Sequence, residues 1–455
     1  MIDPYQEFLA SKRRVDPDSG LQSCPALPAP LFPHQRDIVR WALRRGRAAI
    51  FAQTGLGKSL MELSWGGAIH EATGGDVLLL TPLAVAGQMV DEAAKFGLQA
   101  RQCASQTDVR PGITVTNYAK LHHFDLSRFA GVILDESSIL KAFDGKTRRI
   151  LVEQCAQVPY RLAATATPAP NDFTELGNHA EFLGVMSLSG MQAVFFTHDG
   201  GNTSTWRLKG HAEDDFWRWM CSWSVLLRKP SDLGYADGGY ALPELRQVEH
   251  IIPVDGPLAR TLSERLRARR DSIEQRVARA AALTPAEGPF VWWCNLNAES
   301  EALAAAIPGA VEVRGPDKEA DKERKLKDFS AGRIRVLVTK PSIAGFGMNW
   351  QHCANTGFVG LNDSFEQVYQ AVRRFWRFGQ TRPVTVHFVA ASTEGAVLEN
   401  LRRKEADADR MGAAMVANMA DISSEMVQSA ARQTDQYNPT LPMAVPFWLA
   451  EEETC

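Results

Sequence analysis

A glycine-bearing loop, Ala52-Gln-Thr-Gly55-Leu-Gly57-Lys58-Ser59, stands between the apolar run Ala48–Ala52 and a helical pattern that begins near Lys58. Strand, tight loop and helix in that order open a βαβ unit, and a chain made of such units forms a parallel sheet with helices on its faces. The rhythm continues from about Leu31 to Gly184, where Val77–Thr81, Ile113–Thr116, Val132–Leu134 and Arg161–Ala164 read as β-type runs between helical patterns. It resumes at Phe290–Cys294 and runs on through Arg335–Thr339, Thr356–Leu361 and Val384–Val389. The expected fold class is therefore α/β, with two parallel-sheet lobes.

Between the lobes the pattern changes. Residues 185–285 carry aromatics at helical spacing (Phe216, Trp217, Trp219, Trp223) and then a basic stretch, Leu258–Ala282, with seven Arg against three acids. This segment is expected to be a mainly helical insertion. The predicted organisation is an extension and linker at 1–30, a first lobe at 31–184, the insertion at 185–285, a second lobe at 286–400, and a helix and tail at 401–455. The linker reading rests on the proline-rich Pro25–Pro30, which follows a short amphipathic piece, Tyr5–Arg14.

Composition removes several function classes. With 45% hydrophobic and 23% charged residues the chain can bury a core in each domain, which excludes disorder and low-complexity scaffolds. The balance of 50 Lys+Arg against 53 Asp+Glu excludes a partner held by net positive charge alone, so any nucleic acid must be gripped by local basic surface. No apolar run reaches the length of a membrane span and Met1–Pro4 begins with charge, so neither insertion nor export is expected. The cysteines lack CxxC pairs or histidine-spaced partners, which argues against a zinc site or a disulfide framework and fits a reducing cytoplasm.

The loop carries the strongest chemical signal. Glycines at 55 and 57 let backbone N–H groups approach a phosphate, the following helix adds its N-terminal dipole, Lys58 reaches the β/γ-phosphates and Ser59 can ligate Mg²⁺. Thr54, Gly55, Leu56, Gly57, Lys58 and Ser59 are accordingly the candidate nucleotide-binding residues. The plain alternative is a glycine-rich turn without a ligand. Further on, Gly131-Val-Ile-Leu-Asp135-Glu136 is an apolar strand ending in two carboxylates, which suits a metal-holding Asp135 and a water-polarising Glu136; alone it would read as a solvated strand end. In the second lobe, Gln370-Ala-Val-Arg-Arg374-Phe-Trp-Arg377 puts two arginines on one helix face, and arginine's planar fork is suited to phosphate. An arginine-rich helix is otherwise most often a solvated face.

The order of these motifs resembles that of superfamily 2 helicases over roughly residues 31–395: Leu31-Phe-Pro-His-Gln35, the phosphate loop, Thr81-Pro82, Thr116-Asn117-Tyr118, Asp135-Glu136, Thr165-Ala-Thr-Pro168, Ala344-Gly-Phe-Gly-Met-Asn349 and the Arg374/Arg377 helix. Within that superfamily the chain is similar to the Snf2-type branch, through Phe378-Gly-Gln380, Gly345-Phe-Gly347-Met-Asn349, Thr165-Ala-Thr-Pro168-Ala-Pro-Asn171, and Leu227-Arg228-Lys229 followed by Leu242-Pro243. Its small size resembles the DEAD/DEAH-type helicases of phages and prophages. The resemblance implies two RecA-like P-loop lobes acting on ATP with Mg²⁺. It also implies that Gln35 reads adenine, that Ser59 and Asp135 hold the metal, and that Glu136 handles the water. Thr165 and Thr167 would couple the site to the inter-lobe cleft, where Gln370 and Arg374 lie, and Arg377 would be the arginine finger. Pro82, Asn117 and Thr339 fall in motifs that touch nucleic-acid backbone.

This chain departs from that branch where Ser137 and Ser138 replace an Ala-His pair that links hydrolysis to domain movement, and where Met89 replaces a tryptophan. Nucleosome remodelling is not carried over. The expected function is an ATP-dependent helicase or translocase on DNA, duplex favoured, in replication, recombination or repair of a bacterial or phage genome, with a monomer compatible. Two rivals stay open: a nucleic-acid-binding assembly protein that uses ATP as a conformational switch, and an RNA helicase. The basic stretch 258–282 and the cluster between Arg314 and Arg335 are read as either DNA contacts or solvated faces. The aromatic group at 216–223 and Trp292-Trp293 are read as core, with a base-stacking platform as the rival for the first. Pro446-Phe-Trp-Leu449 with Glu451–Glu453 could dock a partner or pack on the second lobe.

Overall fold

The computed structural model of the chain describes residues 17–141, 145–169, 172–199, 202–240, 242–344, 349–361, 364–394 and 397–432. The strands of its N-terminal half are β1 (Arg47–Ala52), β2 (Val77–Thr81), β3 (Ala100–Gln102), β4 (Ile113–Asn117), β5 (Gly131–Asp135), β6 (Tyr160–Thr165), β7 (Phe196–Asp199), β8 (Asn202–Leu208) and β9 (Ser224–Leu227). Those that follow are β10 (Leu245–Ile252), β11 (Phe290–Cys294), β12 (Ala310–Glu312), β13 (Val336–Thr339), β14 (Asn355–Val359) and β15 (Val384–Ala391). A seven-stranded sheet has the order β3-β4-β2-β5-β6-β1-β9, and a six-stranded one the order β10-β15-β14-β11-β13-β12. Neighbours in both are parallel. The fold class is the expected one: two parallel α/β lobes.

Central strands such as β2, β4 and β5 are buried along their whole length. Helices cover both faces of such a sheet, so its strands appear as unbroken apolar runs. The helix Lys58–Thr73 carries the chain from β1 across the neighbouring strands to β2, lying so close that a Cβ on Gly66 would come within 3.1 Å of Ile133. β1 and β2 are thus separated in the sheet, and the loop after β1 opens at its carboxyl edge, where α/β sheets bind ligands.

The segment 185–285 departs from the expected helical insertion. It contains helices, but it is divided between the lobes: β9 pairs with β1, and β10 pairs with β15. The helix Glu213–Trp223 sends Phe216, Trp217, Trp219 and Trp223 into the core of the first lobe beside Phe51 and Leu134, so these rings are packing groups rather than a base-stacking platform. The basic stretch becomes two helices, Leu262–Asp271 and Ile273–Leu283, whose Arg269 and Arg276 point inward. Arg276 is fully buried, with Nη2 2.7 Å from Glu299 and Nε 3.3 Å from Glu394. Neither a wholly solvated face nor a continuous nucleic-acid contact describes it.

Part of the predicted linker is also structural. Ser19, Gly20 and Leu21 donate backbone hydrogen bonds to the carbonyls of Arg45, Arg44 and Leu43, closing the end of the helix Pro33–Arg45, and Leu27 packs on the first lobe's core. The 36-residue helix Val397–Arg432 leaves the second lobe, where Val397 and Leu401 are core, and packs Met415, Met419 and Val427 into the first. Tyr5–Arg14, Pro170-Asn171, Gly345–Met348 and the segment 446–453 lie outside the described residues. No helix among the described residues is long and apolar enough to cross a membrane.

Candidate functional site

The loop after β1 reaches the helix Lys58–Thr73 through Gly55 and Gly57, both with positive φ (96° and 80°), a backbone that glycine adopts without strain. No side chain caps this helix, so its first N–H groups face the cavity and suit an anion. A Cβ at Gly57 would collide with Gln35 Nε2 at 2.3 Å, and one at Gly55 would come within 3.0 Å of the Phe378 backbone nitrogen. Glycine is required at 57 by both conformation and space. Lys58 Nζ donates to the Ala52 carbonyl at 2.8 Å, a neutral acceptor that a phosphate oxygen would outcompete.

The same cavity, about 340 Å³, is lined by Thr54, Gly55, Gly57, Lys58 and Ser59, by Asp135 and Glu136, and by Arg374 and Arg377 of the second lobe. Asp135 closes β5, and its Oδ2 accepts from the Thr81 hydroxyl at 2.7 Å. Burial, followed by the charge of Glu136, pushes the Asp135 carboxyl up to about 7, although Thr81 and Lys58 pull it down. Glu136 is the one described non-glycine residue with positive φ (51°), and its Oε2 is buried without a partner. Backbone strain and an unsatisfied carboxylate at one residue mark a group held for use rather than for stability.

From the other side, Gln370 accepts from Arg374 at both its backbone oxygen (2.9 Å) and Oε1 (3.0 Å), which fixes the guanidinium fork. Burial lowers the pKa of Arg374, while Glu136 and Asp135 raise it, which places its charge opposite theirs. Arg377 is lowered to about 10 by burial and by Arg374. Both stay protonated at neutral pH. Predicted site residues from far-apart sequence positions thus converge on one cavity.

Other predicted residues are placed differently. Leu56 does not line the cavity; it is buried, and its carbonyl accepts from Gln35 Nε2 at 2.9 Å. The Oε1 of Gln35 accepts from the Phe32 N–H at 3.0 Å, so Gln35 is braced against the loop while lining the cavity. Pro82, Asn117 and Thr339 stand at the carboxyl ends of β2, β4 and β13. The Asn117 side chain is turned inward to the Lys120 N–H (3.2 Å) and the Thr339 hydroxyl to the Val313 carbonyl (3.2 Å), and both residues are buried. The polar groups presented nearby are instead Lys120, 3.8 Å from Glu319, and Lys340, 2.7 Å from Asn297.

Sequence reasoning missed three contributors. Glu62, one helical turn after Lys58, is fully buried beside Asp135 with neither oxygen partnered, and burial pushes its carboxyl well above the usual range. The i,i+4 spacing from Lys58 was the available signal. His179 lies 3.1 Å from the Ser137 hydroxyl, placing an imidazole beside the Asp-Glu turn although position 138 is serine. Phe32, Tyr240 and Phe378 form a ring cluster at the cavity mouth, with Tyr240 and Phe378 centroids 4.8 Å apart, and it joins first lobe, connector and second lobe.

Two carboxylates, an unpartnered hydroxyl on Thr54, a parked lysine and open N–H groups suit a polyphosphate with a divalent cation. Among the described residues no cluster of three or more His, Cys, Asp or Glu forms a cage for a metal on its own. Fold and cavity together define a two-lobed α/β protein with a phosphate-type loop at the lobe junction.

No protein-family description matches the sequence, and no curated protein matches it. Among solved structures, the chain is similar to the Sulfolobus solfataricus SWI2/SNF2 ATPase core in complex with dsDNA, at 16% identity and a TM-score of 0.42, over 90% of this chain and 97% of that one. The fold assignment itself rests on the two strand orders.

Proposed function

We propose that the chain is an ATP hydrolase that clamps its nucleotide between two lobes and uses their closing and reopening to move along nucleic acid, with duplex DNA the favoured track. The observation that carries this reading is the placement of buried Arg374 and half-buried Arg377 opposite Asp135 and Glu136, around one cavity floored by the loop 54–59. Loop N–H groups and the helix N-terminus bind the phosphates, and Lys58 exchanges the Ala52 carbonyl for a phosphate oxygen. Ser59 and Asp135 would hold Mg²⁺, which when bound neutralises charge between the phosphates. Glu136 orients the attacking water and takes its proton. Arg374, fixed by Gln370, and Arg377 meet the charge that develops on the transferred phosphoryl group.

Because the arginines and the carboxylates belong to different lobes, hydrolysis is tied to closure. DNA as the track is supported by the motif succession in the sequence, as is a role in replication, recombination or repair. The test is ATP hydrolysis without nucleic acid and with duplex DNA, single-stranded DNA or RNA. Stimulation by duplex DNA, reduced by about a hundredfold or more in Lys58→Ala and in Arg377→Ala, is the expected result. Stimulation by RNA alone would change the substrate. Nucleotide binding with no stimulated turnover would identify a switch.

A further inference from the structure

A second cavity, about 370 Å³, lies behind the first. Gln53 and Arg373 line it, while their chain neighbours Thr54 and Arg374 line the first. Its floor is apolar: Leu245, Val368, Phe388, Leu398 and Leu401. They come from the connector strand β10, the helix Phe365–Val372, β15 and the long helix Val397–Arg432.

Arg373 is the polar group that gives this cavity a chemistry. It is only 6% exposed, and its guanidinium lies 4.4 Å from the Trp376 ring centre and 5.0 Å from that of Tyr369. With the Gln53 amide oriented so that its nitrogen donates to the Arg228 carbonyl (2.9 Å), Nη2 donates to the Gln53 oxygen at 2.8 Å. Nη1 is buried and has no partner, and no carboxylate among the described residues is within ion-pair distance. The other two arginines here are already paired, Arg228 with Asp409 at 3.0 Å and Arg402 with Glu249. The remaining carboxylate, Glu405, accepts from Gln247 at 3.3 Å; burial disfavours its charge, as does Asp409, while Gln247 and the charge of Arg373 favour it without a hydrogen bond between Glu405 and Arg373. A buried guanidinium donor left open costs free energy that an anionic acceptor would recover.

We propose that this cavity binds a small organic anion with an apolar body of about one or two rings, its acid group on Arg373 Nη1 and its body on the leucine, valine and phenylalanine floor. A cavity of this size, with an apolar floor on one side and charged and amide groups on the other, can take a small molecule that has both an apolar body and a polar end. Such a ligand would touch the first lobe through Gln53, the connector, the second lobe and the long helix, one residue away from the nucleotide cavity on either side. Its occupancy would hold the lobes in the closed relation.

The test uses the full chain and naphthoate as probe, with uncharged naphthalenemethanol as its partner compound, in calorimetric titrations that need no ATP hydrolysis. Naphthoate is expected to bind saturably and more tightly than the alcohol. Arg373→Leu should weaken naphthoate by about tenfold or more while leaving the alcohol unchanged. Leu398→Trp, which fills the floor without altering charge, should abolish both. Far-UV circular dichroism checks that each variant is folded. The proposal is overturned if naphthoate fails to bind, if the alcohol binds as tightly, or if folded Arg373→Leu or Leu398→Trp protein binds naphthoate like the parent.

Discussion

Glu62 and His179 show how single side chains in the first lobe are held in states that water would not give them. Glu62 is shut in with unpartnered oxygens, and burial followed by the charge of Asp135 disfavours its ionised form, so an amide of the same shape asks little of the fold. Glu62→Gln is expected to change unfolding free energy by less than about 1 kcal/mol, whereas Glu62→Ala leaves a cavity and should cost about 2–4 kcal/mol; urea unfolding distinguishes them. His179 is neutral in the folded chain because burial lowers its pKa from 6.5 to about 4. Between those values the unfolded chain binds a proton that the folded one does not. Stability from this group is therefore intact above pH 6.5 and is lost as pH falls toward 4. His179→Gln cannot charge and should flatten the slope of stability against pH in that window by up to about 1.4 kcal/mol per unit. Equal slopes in parent and variant would contradict this. Neither residue stood out in the sequence: Glu62 had only its i,i+4 spacing from Lys58 to show, and burial beside Asp135 or Ser137 is a property of folded distance.

At the scale of elements, legibility followed burial. β1, β2, β5, β6, β11, β13 and β15 announce themselves as apolar runs because helices cover them on both faces. β10 does not: Leu245–Ile252 is an edge strand carrying Arg246, Gln247, Glu249 and His250, with little of it buried. β3 and β12 are three residues each, too short to show a period. β9 was hidden by the aromatics before it, whose helical spacing reads on through Trp223. The phosphate loop, the Asp-Glu strand end and the arginine helix were legible because each is a local pattern; their convergence across the lobes followed only from the order of motifs. Since β9 and the helix before it belong to the first lobe's core, Trp223→Ala should cost about 3–5 kcal/mol and lower the melting of that lobe as one unit. Calorimetry that finds a separate, earlier transition for residues 185–285 would restore the insertion reading.

For the whole molecule, the lobes meet through the ring cluster at the cavity mouth, the Lys120–Glu319 pair, the Gln53–Arg373 contact and the long helix. The helix spans about 54 Å and is core at both ends. The sequence showed it as a helix and tail at 401–455, but nothing in the sequence named the lobe that would receive it. A strut seated in two bodies fixes not only the distance between them but also the rotational phase of one on the other. One residue inserted between Asp407 and Met411 turns everything beyond it by about 100°, which carries Met415 and Met419 off their seats and should lower the melting temperature. Seven inserted residues bring the same face back to within about 20° but displace it by about 10 Å, so melting should recover while stimulated hydrolysis does not. The register of the two lobes is thus written as a number of residues, and along this stretch the chain tolerates changes of letter far better than changes of length.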